Sequence, residues 1–326
     1  MLEHGGQTRA AAARYGIALG NWLDLSTGIN PIPFEPPPVP PDAWGRLPQE
    51  QDGLEEAAAA YYGTLDVLPV AGSQAAIQAL PRLRDCIRAG VLAPGYIEHA
   101  QAWRNAGHEV VNINADEINT HLEEISVLVL MNPNNPTGAA FALEQLREWH
   151  GRLAEHDGWL IVDEAFIEAT KMSSMAQAQM PQGLIVLRSM GKFFGLAGAR
   201  VGFVLARTAL RNALREALGP WALSGPSRFV AQAALRNRAW QAATRERLLQ
   251  DGVRLAQLLH AAGLPPAGGC ELFQWVPTKQ AETIHRQLAQ RGILTRYFAE
   301  PGSLRFGLPG SEADWGRLRA TLGEIL

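Results

Sequence analysis

One segment of the chain combines a lysine, a serine and an arginine in a pattern that suits covalent chemistry. It spans residues 188–202, follows the apolar run 184–187, and contains Ser189, Lys192 and Arg200 among small residues. Lysine is the side chain that forms Schiff bases with carbonyl compounds, and Ser189 and Arg200 supply donors that a phosphate group requires. The segment therefore predicts an amine beside an anion site. The alternative for an isolated lysine is a glycine-rich surface loop.

Chemically useful residues also follow three of the predicted strands. The predicted strand at 127–131 is followed by residues 132–138, the strand at 159–162 by residues 163–166, and the strand at 67–70 by residues 71–74. In open α/β sheets, ligands gather beyond the carboxyl ends of the strands. Turn formation or helix capping would explain each segment taken singly. Their joint occurrence ahead of Lys192 instead favours one shared ligand site.

The order of the predicted elements indicates an α/β protein with two domains. Short apolar runs alternate with amphipathic stretches up to residue 207, which predicts a large domain with a mixed or parallel sheet covered on both faces. From residue 208 the pattern becomes mostly helical with two short strands, which predicts a smaller α+β domain. The proline-rich residues 31–41 are expected to form an extended connector. We therefore expect an amino-terminal arm at 1–30 packing with the small domain, a large domain at 31–207 and a small domain at 208–326.

The composition restricts the class of protein. A length of 326 residues suits one large and one smaller domain. The net charge of -3 and the lack of a dense basic run argue against nucleic-acid binding. With only Cys86 and Cys270 we expect buried free thiols and a cytoplasmic protein. The residues near the amino terminus do not resemble a signal peptide, no apolar run approaches the roughly 20 residues that span a bilayer, and the histidine spacing predicts no metal site.

Together these segments resemble fold-type I pyridoxal-phosphate enzymes of the aspartate aminotransferase superfamily. The similarity covers residues 22–308 and is carried by residues 132–138, 163–166 and 189–202. It implies a large sheet-containing domain, a smaller α+β domain, pyridoxal 5'-phosphate as the cofactor, and a homodimer with the active site at the subunit interface.

The resemblance also implies which residues hold the cofactor. Lys192 would bind it as a Schiff base, and Asp163 would pair with the protonated pyridine nitrogen. Asn135 would donate a hydrogen bond to the ring hydroxyl oxygen. The phosphate would be held by backbone amides at a helix start and by two side chains. These phosphate-binding residues are Gly72, Ser73, Gln74, Ser189 and Arg200.

Three positions depart from the pattern of the related aminotransferases. Phe166 stands where a tyrosine usually contacts the ring oxygen, and Gly191 stands where a serine or threonine usually precedes the lysine. Leu47 stands where histidinol-phosphate aminotransferases place a tyrosine that reaches the partner subunit's cofactor. We therefore expect fewer polar contacts to the cofactor. His99 falls at the position of the ring-stacking group, with Tyr96 as the alternative.

The amino-terminal residues help to choose the reaction. His4-Gly5-Gly6 and residues 24–31 resemble the threonine-phosphate decarboxylases of cobalamin biosynthesis. Together with Phe166, they favour decarboxylation of L-threonine O-3-phosphate to (R)-1-amino-2-propanol O-2-phosphate. A histidinol-phosphate-type aminotransferase is the alternative within this superfamily. A cofactor-binding regulator would need a basic helix-turn-helix region, for which the first 30 residues are too few.

The bond at the substrate α-carbon that stands perpendicular to the cofactor ring is the one that breaks, so the groups that orient the substrate choose the reaction. By family position, Arg305 would bind the substrate carboxylate and Arg296 the substrate phosphate. Asn30 is expected to help hold the carboxylate, and His4 to meet the phosphate. After carbon dioxide leaves, Lys192 or a water that it positions would return a proton to the α-carbon.

Overall fold

The computed structural model describes residues 4–326, which form two compact units. The large unit comprises Pro33–Asn135 and Ala139–Ala242. The small unit comprises residues 4–32, Pro136–Gly138 and Ala243–Leu326. The amino-terminal segment thus belongs to the same unit as the carboxyl-terminal part of the chain.

The strands are β1 (Leu23–Leu25), β2 (Val67–Val70), β3 (Arg88–Leu92), β4 (Glu109–Ile113), β5 (Val127–Met131), β6 (Trp159–Asp163), β7 (Leu184–Ser189), β8 (Gly202–Ala206), β9 (Gly268–Cys270), β10 (Phe273–Pro277), β11 (Ile293–Phe298) and β12 (Ser303–Gly307). The α-helices are α1 (Thr8–Tyr15), α2 (Asp42–Gly45), α3 (Leu54–Tyr62), α4 (Ser73–Ala79), α5 (Ile97–Asn105), α6 (Ile118–His121), α7 (Leu143–Ala154), α8 (Thr208–Leu218), α9 (Gly225–Arg236), α10 (Arg238–Ala261), α11 (Ala281–Gln290) and α12 (Glu312–Ile325).

The large unit is built on a sheet of order β2-β8-β7-β6-β5-β3-β4. All neighbouring strands run parallel except β8, which is antiparallel to both β2 and β7. Every residue of β5 is buried, as expected for a parallel strand covered on both faces. The mixed α/β sheet confirms the predicted fold class.

The strand register brings the predicted site segments to one edge of this sheet. Asp163 ends β6 beside the end of β5 and opposite Leu187 of β7. On the other side of β7, Ser189 pairs with Gly202, which in turn pairs with Val70 at the end of β2. The segments after β2, β5, β6 and β7 therefore leave the sheet at the same edge, and β8 begins there.

The small unit contains a second sheet of order β1-β11-β12-β10-β9. Its edge strand β1 runs parallel to β11, and the other pairs are antiparallel. Strands were predicted in the region of β10 and β12, whereas β1, β9 and β11 were not predicted. β1 and β9 have only three residues each, and charged or polar side chains interrupt the apolar run of β11.

The change to a mostly helical sequence pattern predicted a domain boundary at residue 208. In the structure the boundary between the units lies later in the chain. The units divide between Ala242 and Ala243, within helix α10. Leu214 of α8 is buried in the hydrophobic cluster of the large sheet, and Arg228 of α9 pairs with Asp52 near the start of α3. Helices α8 and α9 thus pack against the large unit. The sequence pattern predicted that they are helices but could not show which unit they contact.

The proline-rich connector is anchored rather than free. Residues 33–40 have no regular secondary structure, but Phe34 is buried. Its backbone N–H donates to the carbonyl of Phe194 at 2.9 Å, and its ring packs edge-on against Trp240. Phe34 therefore anchors this otherwise mostly exposed segment in the core of the large unit.

The two cysteines of the chain differ in their exposure to solvent. Cys270 is half-buried but Cys86 is exposed, so the expectation of two buried thiols was wrong for Cys86. No helix of the described chain is long and apolar enough to cross a membrane. No group of three or more histidine, cysteine, aspartate or glutamate side chains in this part of the chain is placed to hold a metal ion.

Candidate active site

Asp163 is a buried carboxylate at the end of β6. It is 2% exposed, and its Oδ2 atom lies 3.0 Å from Nε2 of His99 on helix α5. Its Oδ1 atom accepts a hydrogen bond from the backbone N–H of Ala165 at 3.1 Å. Both carboxylate oxygens are thus fixed by the protein, so the carboxylate has a defined orientation at the edge of the large sheet.

His99 and Tyr96 occupy different positions relative to this carboxylate. His99 is 3% exposed and its ring nitrogen is engaged by Asp163. Tyr96 is half-buried, and its hydroxyl donates to Oε1 of Gln74 at 3.3 Å. The two rings meet edge to face, 5.9 Å apart. Burial, with smaller contributions from Glu98 and Asp163, raises the pKa of Tyr96 to about 12, so its hydroxyl is neutral near pH 7.

Lys192 lies in the loop after β7 and is half-buried between the fully buried Gly191 and Phe193. Its backbone carbonyl accepts from the N–H of Gly195 at 3.1 Å. Its ammonium nitrogen is 5.5 Å from the centre of the Phe166 ring, within the range of a cation–π contact. The position where related aminotransferases carry a tyrosine hydroxyl therefore presents an apolar ring face to this amine.

A close-packed glycine cradle surrounds the start of helix α4. Gly72 has a positive φ of 73°, and a Cβ atom there would lie 2.7 Å from a guanidinium nitrogen of Arg200. A Cβ at Gly202 would lie 2.5 Å from the backbone nitrogen of Ser73. The guanidinium and the first amide of the helix can approach this closely only because glycine occupies both positions. This arrangement fits an anion such as a phosphate group.

The other predicted cofactor residues border the same sheet edge. Ser189 ends β7, and its hydroxyl oxygen accepts from the N–H of Gly191 at 3.2 Å. The side chain of Gln74 donates to Glu98 at 2.9 Å, so only its backbone amide remains suitable for the predicted phosphate role. Asn135 is half-buried in the loop after β5. The side chain of Asn132 closes that loop by bonding both the N–H and the carbonyl of Phe141.

A buried ion cluster lies immediately beside these residues and was not predicted. Arg188, next to Ser189, donates to Glu164, next to Asp163, at 3.0 Å and to Glu168 at 2.8 and 3.0 Å. Burial raises the pKa of Glu164, while the charge of Arg188 opposes the shift. The cluster joins the ends of β6 and β7, which carry Asp163 and Ser189.

The small unit presents two arginines side by side on its sheet. Arg296 of β11 lies directly opposite Arg305 of β12, so the two side chains share one face of the sheet. Arg305 is 6% exposed, and one of its guanidinium nitrogens donates to the carbonyl of Ser26 at 2.8 Å. Burial, followed by the charge of Arg296, lowers the pKa of Arg305 to about 10. Two like charges held together in this way favour the binding of anions.

The amino-terminal arm packs on the same residue that holds Arg305. The backbone N–H of Gly6 donates to the hydroxyl oxygen of Ser26 at 2.7 Å, and a Cβ at Gly5 would lie 2.3 Å from the Ser26 carbonyl oxygen. His4, which precedes these glycines, is half-buried. The glycine pair therefore serves close backbone packing, which the sequence motif alone did not explain.

Asn30 is buried in the small unit and is held by its side-chain oxygen. Its Oδ1 atom accepts from the N–H of Ile32 at 3.0 Å and from Nη2 of Arg247 at 2.7 Å. Asn30 was predicted from the sequence, but neither Arg247 nor Ser26 was. The structure thus assembles the predicted substrate residues His4, Asn30, Arg296 and Arg305 within the small unit, and the predicted cofactor residues within the large unit.

Comparison with known proteins identifies the family. The model of the family described as aminotransferase class I and II matches residues 46–322. The chain belongs to this family. It is 57% identical over 322 residues to the threonine-phosphate decarboxylase of Pseudomonas aeruginosa, covering 99% of this chain and 97% of that protein. It is 41% identical over 332 residues to the threonine-phosphate decarboxylase of a Sinorhizobium species, covering 99% of this chain and 98% of that protein.

A solved structure shows the same fold. The histidinol-phosphate aminotransferase from Sinorhizobium meliloti, in complex with pyridoxal-5'-phosphate, superimposes with a TM-score of 0.85 at 21% identity, over 99% of this chain and 95% of that chain. Membership of the aminotransferase class I and II family confirms the predicted superfamily, the enzymatic nature of the protein and pyridoxal 5'-phosphate as its cofactor. The individual residue roles remain predictions.

Proposed function

We propose that this chain catalyses the decarboxylation of L-threonine O-3-phosphate, giving (R)-1-amino-2-propanol O-2-phosphate for cobalamin biosynthesis. The observation that carries the proposal is the 57% identity to a threonine-phosphate decarboxylase along 99% of the chain. The two facing arginines Arg296 and Arg305 support it, because the substrate bears two anionic groups, a carboxylate and a phosphate.

The cofactor residues of the large unit suit pyridoxal 5'-phosphate. The glycine cradle at Gly72 and Gly202, with Arg200 and Ser189, would hold its phosphate, and the backbone amides of Ser73 and Gln74 would add donors. When bound, the cofactor supplies an aldehyde that condenses with amines and a ring that accepts an electron pair. Asp163 would hold the proton on the ring nitrogen, and Asn135 would donate to the ring hydroxyl oxygen.

The geometry favours a change in the assignment of the aromatic contact. Because Nε2 of His99 is committed to Asp163 at 3.0 Å, we assign His99 the role of orienting that carboxylate. Tyr96 is then the residue whose ring would lie against the cofactor. Its hydroxyl donates to Gln74 and its ring meets that of His99 edge to face, which supports a position near the predicted phosphate and pyridine contacts.

The chain's own residues then determine which bond of the substrate breaks. Arg305 and Asn30 would hold the carboxylate, and Arg296 and His4 the phosphate. Loss of carbon dioxide leaves the electron pair of the broken bond at the α-carbon. Lys192 Nζ would deliver the proton that replaces the carboxylate, either directly or through a water. The apolar ring of Phe166 lies beside this amine, 5.5 Å from Nζ to the ring centre.

We also propose that the protein is a cytoplasmic homodimer. Several large apolar side chains on the large unit are strongly exposed, among them Trp44 at 71%, Leu47 at 65% and Trp221 at 60%. Covering such side chains by a second copy would remove apolar area from water. A reducing compartment suits the free thiols Cys86 and Cys270. Sedimentation as a monomer at micromolar concentration would contradict the dimer.

The function is tested by supplying the holoenzyme with L-threonine O-3-phosphate and no 2-oxo acid. We expect carbon dioxide and an aminopropanol phosphate in equal amounts. The Lys192→Ala variant, which should still fold, is the matched control and should release no carbon dioxide. Transfer of the amino group to 2-oxoglutarate without gas release would instead identify an aminotransferase.

A further inference from the structure

Arg247 is a charged residue of helix α10 that the proposed mechanism does not use. Its guanidinium contacts two groups of the small unit. Nη2 donates to Oδ1 of Asn30 at 2.7 Å, and Nη1 donates to Oδ2 of Asp251, one helical turn later, at 3.0 Å. The ion pair with Asp251 fixes the guanidinium on its helix, so the contact with Asn30 has a defined direction.

These contacts determine which way the Asn30 amide faces. The same side-chain atom of Asn30 accepts from Arg247 and from the backbone N–H of Ile32. Both partners are donors only, so that atom must be the carbonyl oxygen, and the NH₂ group must point away from them. Asn30 is only 2% exposed, which leaves its side chain little freedom to turn over.

We propose that Arg247 is a positioning residue for the substrate carboxylate. By holding the Asn30 carbonyl oxygen, it fixes the amide so that a ligand of Asn30 meets the NH₂ group, the side that donates to a carboxylate. An amide turned the other way would present an oxygen, which repels a carboxylate. This inference rests on the proposed function, because it takes Asn30 as a carboxylate contact.

The proposal distinguishes the two anionic groups of the substrate. The product, (R)-1-amino-2-propanol O-2-phosphate, keeps the phosphate and the amine but has lost the carboxylate. In Arg247→Met we expect the KM for L-threonine O-3-phosphate to rise about tenfold, because the substrate loses the equivalent of one hydrogen bond to a charged group. The inhibition constant of the product should change less than about twofold. A general distortion of the small unit would weaken both ligands equally.

A double-mutant cycle tests whether Arg247 acts through Asn30. Asn30→Ala should raise the KM by a similar factor, and Arg247→Met combined with Asn30→Ala should be no worse than Asn30→Ala alone. Arg247→Lys, which retains one donor, should recover part of the affinity. Asn30→Asp should bind substrate more weakly than Asn30→Ala because it places an anion against an anion, and this variant does not depend on the folding of the Arg247 variants.

Arg254→Met is the matched control. Arg254 lies two turns further along α10 and also pairs with a carboxylate, Glu312, at 2.5 and 2.6 Å, but it does not contact Asn30. Its removal should leave both the KM and the product constant unchanged. Equal weakening of substrate and product in Arg247→Met, or additive effects in the cycle, would overturn the inference. Failure of the wild-type enzyme to release carbon dioxide would instead overturn the proposed function.

Discussion

Nε2 of His99 and Oδ2 of Asp163 lie 3.0 Å apart, and both side chains are almost fully buried. A buried carboxylate needs a donor at each oxygen. Here His99 serves one oxygen and the backbone of Ala165 serves the other. The imidazole and this backbone amide together fix the orientation of the carboxylate.

Replacing His99 should weaken the binding of pyridoxal 5'-phosphate. His99→Phe keeps an aromatic ring but leaves Oδ2 of Asp163 without its donor, so we expect the dissociation constant of the cofactor to rise about tenfold or more. Titration of the apoenzyme with the cofactor, followed by absorbance, measures this. His108→Phe removes another buried histidine of the large unit, whose ring bonds the Pro81 carbonyl, and should leave the dissociation constant unchanged.

The same titration separates the roles of Tyr96 and His99. Tyr96→Phe keeps the ring and should change the affinity less than Tyr96→Leu, which removes it. If Tyr96→Leu binds the cofactor as tightly as the wild type, Tyr96 does not contact the ring, and the assignment of that contact to His99 regains support.

Removing the charge of Arg305 should strongly weaken substrate binding without unfolding the protein. Arg305 is buried and lies opposite another guanidinium, Arg296, so Arg305→Met removes both a desolvation penalty and a repulsion. We expect the free energy of unfolding to fall by less than about 1 kcal/mol, while kcat/KM falls about 100-fold or more. Chemical denaturation and steady-state kinetics measure the two effects.

The pH dependence of this site follows from the same burial. Because the pKa of Arg305 is lowered to about 10, its positive charge is lost as pH rises through that value. The KM for the substrate should therefore rise above about pH 10. The folded protein binds fewer protons at this site than the unfolded chain does, so Arg305 contributes stability that increases as pH rises above 10. A KM that stays flat to pH 11 would contradict the lowered pKa of Arg305.

Adding a methyl group to the glycine cradle should impair cofactor binding. In Gly72→Ala the new Cβ would lie 2.7 Å from the Arg200 guanidinium, at a backbone φ of 73° that disfavours alanine. We expect the cofactor affinity to fall at least about tenfold. Gly198→Ala, in the loop before Arg200, is the control because a Cβ there meets nothing within 4 Å. Equal effects of the two substitutions would rule out a specific cradle.

The buried carboxyl of Glu164 should make stability depend on pH. Burial raises the pKa of this carboxyl in the folded state, so the folded state holds the proton more tightly than the unfolded state does. This contribution to stability is lost as pH rises from the pKa of the unfolded state through the raised pKa of the folded state. Glu164→Gln cannot ionise. The destabilisation that it causes should therefore be smaller at pH 8 than at pH 5, as measured by thermal unfolding across that range.

The large sheet was predictable because its strands carry a strong local signal. β2 and β5 were located residue for residue, since each is a short, wholly apolar run, and α7 was located equally well by its amphipathic period. The short β1 was not predicted because it becomes a strand only by pairing with β11. Its stability comes from tertiary contact rather than from the local sequence.

The site was predictable to the extent that its chemistry requires a particular side chain. A covalent lysine and a ring-pairing carboxylate have few substitutes, so residue type and position were enough to predict these roles for Lys192 and Asp163. Ser26 holds Arg305 through its backbone carbonyl, a contact that any residue could make. Arg247 reaches Asn30 across the fold of the small unit. Neither contact leaves a local pattern in the sequence.

The proposed substrate contacts and the proposed cofactor contacts belong to separate compact units of the chain. Mutations that alter which molecule is recognised can therefore accumulate around Arg296 and Arg305 while the lysine and its surroundings stay constant. Such a division offers a route by which one ancestral catalyst diversifies, with new specificities arising in one unit and the bond-breaking apparatus inherited intact in the other.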